Sequence, residues 1–359
     1  MRRARNIAIV VGVLALMLFG FLSLRAPKPI IELKAETLFE VGPVPITNTM
    51  FTSWIVVVFL AVFSYLATRR MGLVPRGLQN LIESVLEFLY GLVEMTAGPL
   101  HARRFFPVIA TIFLYVMVSN WFGLFPFFTT VGKVEEVSAT AEEFHDEALV
   151  FQEAGGMKLV MPSAPGWPPG EPTVLEFEVE EDATVAEKEA AIQEATEGEV
   201  EEGESVGVLI PFLRSVNTDL NATLALAIAS AIFVEWWGIS THGLFRYGSK
   251  FVNVGRLLRG RLFDGIVDVF VGILEFVAEA VRLVSFSFRL FGNIFAGEML
   301  FLVVVFLAPL VVLQVVYALE IFVGLIQAFI FAILTLVFGV IAVSAVHPQE
   351  EGQGGKQGE

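Results

Sequence analysis

The sequence predicts an all-α polytopic membrane protein of about five to seven membrane helices, with the last two forming a long tilted hairpin and one further amphipathic helix lying in an interface. Apolar residues make up 55% of the 359-residue chain, charged residues only 17%, and the mean hydropathy is +0.72. So few charges cannot cover a soluble surface. Several uncharged runs also approach the length of about 20 residues that a helix needs to cross a bilayer.

The net charge of −15 is concentrated in one segment. Residues 131–205 contain 21 Asp and Glu against 3 Lys, a net of −18, so the rest of the chain carries +3. The sequence has no basic patch of the size that nucleic acids need. Without Cys it has no disulfide framework or thiolate site, and its four His lack ligand spacing. We expect no nucleic-acid partner, cofactor, metal site or catalytic site.

The chain starts with the basic stretch Met1–Arg5 and continues with the hydrophobic run Asn6–Leu24. A signal peptide has this form, but no A-x-A-like cleavage site follows. Residues 1–25 are therefore predicted to be either a signal peptide or an N-terminal membrane anchor, with an extracytoplasmic segment at 26–49.

Residues 50–130 are predicted to hold the first membrane helices. The uncharged runs are Phe51–Thr68 and Phe105–Val131. Between them, residues 76–98 place apolar residues at helical spacing with three Glu on the opposite face, which predicts an amphipathic helix in the membrane interface. A linker helix packed on the protein would have the same pattern.

The second half of the chain contains further apolar runs at Leu220–Val234, Met299–Leu319 and Ile321–Val346. Ala308-Pro309 is a natural bend for a hairpin between the last two helices. The charged pattern over Leu262–Leu307 is about 69 Å long as one helix, which is too long for an upright crossing. We expect it to be strongly tilted, kinked near Gly292 or Gly297, or split.

Basic residues predict the orientation, because Lys and Arg in short loops stay in the cytoplasm. Two clusters fall on the same side of the alternating helices: Arg69, Arg70, Arg76, Arg103 and Arg104, then Arg246, Lys250, Arg256, Arg259 and Arg261. The C-terminal tail, 347–359, is then cytoplasmic.

The acidic insert, residues 131–210, is predicted to be extracytoplasmic. It contains a Pro-Gly patch at Ser163–Pro172, one candidate strand at Val174–Glu180 and one candidate helix at Thr184–Thr196. A small folded subdomain and a partly ordered loop both fit this composition.

Ionisable residues at membrane depth are costly and point to function. At about 100° per residue, one helix face carries five polar residues: Glu275, Arg282, Ser285, Arg289 and Asn293. Glu298 lies about 180° from Arg289 on the same helix. Carboxylates thus lie roughly 21 Å and 14 Å to either side of a permanent cation, which suits two access routes separated by a fixed charge. An Arg–carboxylate pair that only ties helices together is the alternative.

The last helix carries Glu320 and Gln327 on one face, since they are seven residues apart. A lone Glu in so apolar a run needs a partner or water. Because Glu298 and Glu320 flank the predicted bend, we expect them to meet in one pocket near its outer end.

Four motifs, which together cover about residues 45–346, resemble subunit a of F-type ATP synthases. The most specific is Arg289-Leu-Phe-Gly-Asn-Ile-Phe-Ala-Gly-Glu298, and Gln327-Ala-Phe-Ile-Phe-Ala-Ile-Leu-Thr335 resembles the final helix of that family. Asn120-Trp-Phe-Gly-Leu-Phe-Pro126 and Thr218-Asp-Leu-Asn-Ala-Thr-Leu224 are similar to its motifs at the end of one crossing and the start of the next.

The resemblance implies a proton-translocating stator subunit in the Fo sector of a bacterial inner membrane, with no catalytic site of its own. Its partners would be the c-subunit ring, the subunit b stalk and the rest of the complex, and 211–346 would be the proton-channel core. Arg289 would face the ring carboxylate and separate two half-channels. The implied pathway residues are Glu298, Glu320, Asn293 and Gln327 on the outer route, Glu275 on the cytoplasmic route, Ser285 at the ring, and Asp219 and Asn221 at the outer mouth.

Three features depart from the family pattern. Many bacterial members have His where this chain has Glu320, the acidic insert is unusually long, and the run Asn6–Leu24 is extra. Two other classes of protein compete with this interpretation. A secondary ion-coupled transporter would show inverted repeats and broken helices in both halves, which are not evident. A purely structural anchor would leave the intramembrane charges without a role.

Overall fold

The computed structural model describes residues 34–72, 74–125, 128, 131–137, 147–154, 157–160, 174–177, 183–199, 204–249, 251, 262–307 and 310–344, together with residues 12, 15, 16 and 19. Several predicted features lie outside the described residues: the anchor or signal peptide at 1–25 apart from those four positions, the patch Ser163–Pro172, Lys250 with Arg256, Arg259 and Arg261, the bend at Ala308-Pro309, and the tail at 347–359.

The described residues form seven helices: α1 Asn48–Thr68, α2 Leu78–Phe122, α3 Val185–Glu199, α4 Leu220–His242, α5 Leu244–Gly248, α6 Leu262–Leu307 and α7 Val311–Ser344. Four of them, α1, α2, α4 and α7, are long and apolar enough to cross a membrane. Large apolar side chains on α1, such as Val58 and Val62, are exposed, as a lipid-facing helix requires. The prediction of an all-α polytopic membrane protein is confirmed.

A break inside α2 separates the amphipathic stretch from the membrane run. Gly98 has φ 73° and ψ 163° there, a conformation that glycine adopts at little cost because it lacks a Cβ. The amphipathic helix therefore starts at Leu78 and ends close to the predicted boundary. Its apolar face is covered in part, since Leu89 and Val93 are buried but Leu78 is exposed.

The chain forms two compact units, each built from three segments. The first unit contains Met1–Trp54, Ser119–Asp219 and Asn293–Gly324, and the second contains Ile55–Val118, Leu220–Gly292 and Leu325–Glu359.

Two antiparallel sheets belong to the first unit. Strands β1 Thr37–Val41 and β2 Val44–Thr47 pair directly before α1. The acidic insert adds five strands: β3 Gly132–Glu136, β4 Glu147–Ala154, β5 Met157–Val160, β6 Val174–Glu176 and β7 Glu204–Pro211. β7 lies between β3 and β4, while β5 and β6 pair with different parts of the other edge of β4.

The insert has a small hydrophobic core of its own. Ala148, Val150, Leu175 and Phe177 are buried, and Ile192 of α3 is among the side chains that pack against them. The described part of the insert is thus a folded subdomain, in which the candidate helix is present as α3 and the first three residues of the candidate strand form β6. The other strands are not evident from local sequence because their pairing joins distant segments, as in β3 with β7.

The start of α3 has a capping interaction that depends on pH. The backbone N–H of Thr184 donates to Glu187 Oε2 at 2.7 Å and its hydroxyl donates to the same atom at 2.8 Å. These hydrogen bonds favour the ionised carboxylate and hold the pKa of Glu187 below its usual value of 4.5.

We expect α3 to lose part of its stability when the pH falls below about 4.5. The pKa of Glu187 is lowered in the folded chain, so the capping contribution is complete at neutral pH and disappears as the carboxylate becomes protonated. Hydrogen exchange of the α3 amides measures this, and Glu187→Gln should show the same loss at pH 7. Glu189→Gln on the same helix is the control, and equal protection in both variants would contradict the capping role.

Aromatic and small residues pack the helices of the second unit together. The Phe105 ring of α2 stacks on the Trp237 ring of α4 at 4.1 Å. A Cβ at Gly339 of α7 would come within 2.6 Å of the same Trp237 ring, so only glycine allows this close approach. Ser230 and Thr335 add a buried hydroxyl–hydroxyl hydrogen bond of 2.8 Å between α4 and α7.

Helices α6 and α7 pair as an antiparallel hairpin. In the first unit the ring of Phe301 meets the ring of Tyr317 edge-on, with 4.8 Å between the ring centres. In the second unit the ring centres of Phe286 and Phe331 are 5.4 Å apart. α6 is one helix of 46 residues that includes Gly292 and Gly297, so the expected alternative of a split is wrong. A helix of about 69 Å is longer than a hydrocarbon core of about 30 Å, so it must tilt, bend or extend beyond the core.

Candidate functional site

The predicted site residues fall into two groups, one in each compact unit. Glu298, Glu320, Asp219 and Asn293 belong to the first unit. The other five residues, Arg289, Gln327, Glu275, Ser285 and Asn221, belong to the second. Each group is described by its own contacts.

Glu298 is largely buried and faces a cation that the sequence analysis did not include. Its Oε1 lies 3.8 Å from Nε of Arg214, and the two side chains are only 16% and 7% exposed. Oε2 is also buried and has no hydrogen-bond partner among the described residues. The pair could not be found from the sequence, because the two residues belong to different elements and no local pattern links them.

Glu320 of α7 is buried against the backbone of α6. Its carboxylate lies so close to Gly297 that a Cβ at that position would collide with it. Gly297 is the residue before Glu298, so the structure places Glu320 beside the segment of α6 that carries the other carboxylate. Glycine at 297 therefore makes room for Glu320 within the continuous helix α6.

The end of α2 fixes the part of α7 that follows Glu320. Nδ2 of Asn120 donates to the Gly324 carbonyl at 3.0 Å, and Nε1 of Trp121 donates to the Ile321 carbonyl at 3.0 Å. Asn217 Nδ2 in turn donates to Asn120 Oδ1 at 2.6 Å. These contacts tie the Asn120–Pro126 motif to α7 and hold the helix turn next to the Glu320 carboxylate.

Asp219 lies at the start of α4 and is 8% exposed. Its Oδ2 accepts a hydrogen bond of 2.8 Å from the hydroxyl of Thr49 at the start of α1. Ser215, in the segment before Asp219, lies close to the end of α2. A Cβ at Gly123, the residue after α2, would come within 2.6 Å of the Ser215 side chain, so this glycine too permits a close approach. Several polar side chains are thus buried near the ends of α1, α2 and α4.

In the second unit, Arg289 is exposed and borders a small cavity in the α6–α7 packing. The cavity has a volume of about 10 Å³, roughly the room that one water needs. Gln327, which is 7% exposed, also lines it, together with Phe286, Leu290, Ile330, Phe331 and Leu334. Among the described residues, none forms a hydrogen bond or ion pair with Arg289.

Ser285 and Phe288 are exposed near Arg289, and Phe288 is 55% exposed. Arg282, one of the residues on the predicted polar face, instead lies over the Phe338 ring of α7 at 3.8 Å. A cation over an aromatic face is attracted by the ring quadrupole. The two arginines of α6 therefore differ, because Arg282 is engaged within the protein and Arg289 is available to a partner.

The remaining predicted residues are less informative. Asn293 and Asn221 are exposed, and Glu275 is half-buried. The structure does not bring all nine predicted residues into one cluster within either unit.

Comparison with known proteins identifies the family. The family model for the ATP synthase A chain matches residues 50–142 and 203–339. The chain is 26% identical over 303 residues to ATP synthase subunit a of Moorella thermoacetica, which covers 84% of this chain and 93% of that protein. It is 28% identical over 303 residues to ATP synthase subunit a of Campylobacter fetus, with 84% and 92% covered.

The chain belongs to the ATP synthase A chain family, that is, subunit a of F-type ATP synthases.

Subunit a is a membrane subunit of the Fo sector and not the catalytic subunit, and the apolar helices of this chain agree with that location. The matched ranges include all four motifs and Arg214. Residues 143–202 lie outside them, which places most of the acidic insert apart from the common subunit a pattern.

Proposed function

We propose that the chain is the proton-translocating stator of Fo, in which Arg289 separates two half-channels that lead to a carboxylate on the c-ring. The observation that carries the proposal is the state of Arg289 itself. It is a permanent cation on a largely apolar helix, it is exposed, and no described residue pairs with it. Such a charge is costly in a membrane unless a partner supplies the opposite charge.

Electrostatics explains how the arrangement would work. A ring carboxylate must be neutral to cross lipid, because an unpaired charge is strongly disfavoured there. Beside Arg289 the ionised form is favoured, so the carboxyl group releases its proton at the interface. It takes up a proton again from the other half-channel, so the gradient determines the direction of rotation.

We assign the outer route to Glu298, Glu320, Asn293 and Gln327, with Asp219 and Asn221 at its mouth, and the cytoplasmic route to Glu275, with Ser285 at the ring contact. The burial of Glu298 and Glu320 against neighbouring segments supports the outer assignment. The partners in this proposal are the c-ring and the subunit b stalk.

Replacement of Glu320 tests the outer route. Glu320→Leu should lower passive proton flux through assembled Fo by about 100-fold, the contribution of a positioned proton-transfer group. Glu320→His should retain much of the flux, because His also carries a proton near neutral pH. The measurement is proton flux in vesicles with the complex shown to be intact. Equal flux in the wild type and both variants would exclude a relay role for Glu320.

The proposed orientation places the acidic insert outside the cytoplasm and the C-terminus inside it, following the Lys and Arg asymmetry. Ala190 is exposed on α3, and the chain contains no Cys. In sealed inverted vesicles, Ala190→Cys should react with an impermeant thiol reagent only after permeabilisation. The cysteine-free chain is the control, and labelling of sealed vesicles would contradict this orientation.

A further inference from the structure

Arg214 lies where the acidic insert returns to the membrane helices. It follows the last residue of β7, Pro211, by three positions and precedes Asp219 by five. The residue is only 6% exposed, and its Nε lies 3.8 Å from Oε1 of Glu298. A buried arginine is unusual unless its charge is compensated.

Two distant segments hold Arg214 in place. Its Nη1 donates a hydrogen bond of 2.8 Å to the backbone carbonyl of Lys34, in the segment before β1. Its backbone N–H donates to the hydroxyl of Thr52 in α1 at 3.2 Å, and Thr52 donates to the carbonyl of Asn48 at 2.9 Å. Arg214 is therefore held both by its backbone N–H and by its guanidinium group, so the positive charge stays opposite Glu298.

The two oxygens of Glu298 have different surroundings. Oε1 faces the arginine, whereas Oε2 is buried without a hydrogen-bond partner among the described residues. A proton on Oε1 would bring an O–H against a permanent cation, so Oε2 is the oxygen better suited to take up a proton. An ionised carboxylate that is buried without a compensating charge is costly, so the nearby cation is needed for the group to exist in its ionised form.

We propose that Arg214 is a positioning residue for proton transfer. It fixes Oε1 of Glu298 so that Oε2 takes up the proton, and its charge allows the buried carboxyl group of Glu298 to release that proton again. The inference rests on the proposed function, in which Glu298 lines the outer route. The other carboxylate at this segment is Glu320, whose side chain lies beside Gly297.

The test uses the assembled complex with four variants: Arg214→Gln, Arg214→Lys, Glu298→Gln, and the double variant Arg214→Gln/Glu298→Gln. Arg214→Gln should reduce passive proton flux by about tenfold or more, because an opposite charge within about 4–6 Å favours the ionised form by about 10- to 1,000-fold. Arg214→Lys should recover part of the flux. Infrared difference spectra of Arg214→Gln against the double variant should show the C=O band of a protonated carboxyl group.

A change at an exposed lysine provides the matched control. Lys133 pairs with Glu135 at the surface of β3, so Lys133→Gln removes a cation from the same unit and should leave flux unchanged. If Arg214→Gln assembles poorly, the double variant should restore assembly, because it removes the uncompensated buried carboxylate as well. Failure of that rescue would count against the proposal.

The outcomes separate this proposal from the proposed function. If Glu298→Gln leaves proton flux unchanged, Glu298 is not on the outer route and the role of Arg214 is overturned, whereas the stator role of Arg289 is tested separately by Arg289→Ala. If Glu298→Gln slows the flux but Arg214→Gln does not, the route stands and the role of Arg214 is overturned. Absence of the protonated-carboxyl band in assembled Arg214→Gln would also overturn it.

Discussion

Arg289→Ala is expected to abolish ATP synthesis while the complex still assembles. In the proposed mechanism, the ionised form of the ring carboxylate is no longer favoured at the interface with subunit a when the cation is removed. It can then pass in its protonated form in either direction, so rotation is no longer coupled to the gradient. The electrostatic barrier between the half-channels also falls, and passive proton leak should appear. The measurements are ATP synthesis and proton conductance in vesicles with verified complex.

Two further substitutions on α6 separate the role of Arg289 from a general loss of positive charge. Arg289→Lys should retain only part of the activity, since lysine is a point charge that can lose its proton when it is desolvated. Arg282→Gln should be far milder, because Arg282 is already engaged with the Phe338 ring. Coupled synthesis in Arg289→Ala would show that the stator interpretation is wrong.

Gly297→Val is expected to lower proton flux about as strongly as Glu320→Leu, by about 100-fold. Even a Cβ at position 297 would overlap the carboxylate of Glu320, and the remaining atoms of valine enlarge the conflict. Because interiors are closely packed, the carboxylate must leave its position or α6 and α7 must move apart. Either change would break the outer route.

Proton flux and the amount of assembled complex together measure this effect. Gly91→Val on the amphipathic part of α2 is the matched control, because a Cβ there has no heavy atom within 4 Å. It should change the flux little. Wild-type flux in Gly297→Val would show that the position of Glu320 in the structure does not matter for transport.

Local sequence was sufficient to predict the long membrane helices, and the bounds of α1 and of the amphipathic stretch to within a few residues. The uncharged run at 51–68 is α1, and the amphipathic pattern at 76–98 ends at the Gly98 break. Helical periodicity and bilayer length are local properties, so they can be read from consecutive residues. The roles of the nine predicted pathway residues remain predictions.

The sheet of the acidic insert shows where local patterns were insufficient. One strand and one helix were expected, but the described residues contain five strands. β3 and β7 are adjacent in the sheet although about 70 residues separate them, and such pairing has no counterpart in local sequence. The insert also carries a high net negative charge, and its small core consists of a few apolar residues spread between the acidic ones, so the composition did not indicate a folded core.

The sequence by itself determined the membrane class, the family and the cation Arg289, because apolar run lengths and a ten-residue motif are properties of contiguous chain. Only the tertiary structure decided that Arg214 faces Glu298, that Gly297 makes room for Glu320, and that Arg282 lies over an aromatic ring while Arg289 does not pair with any described residue. The physical reason is that charge compensation and close packing act through space, between side chains that the fold brings together from distant parts of the chain.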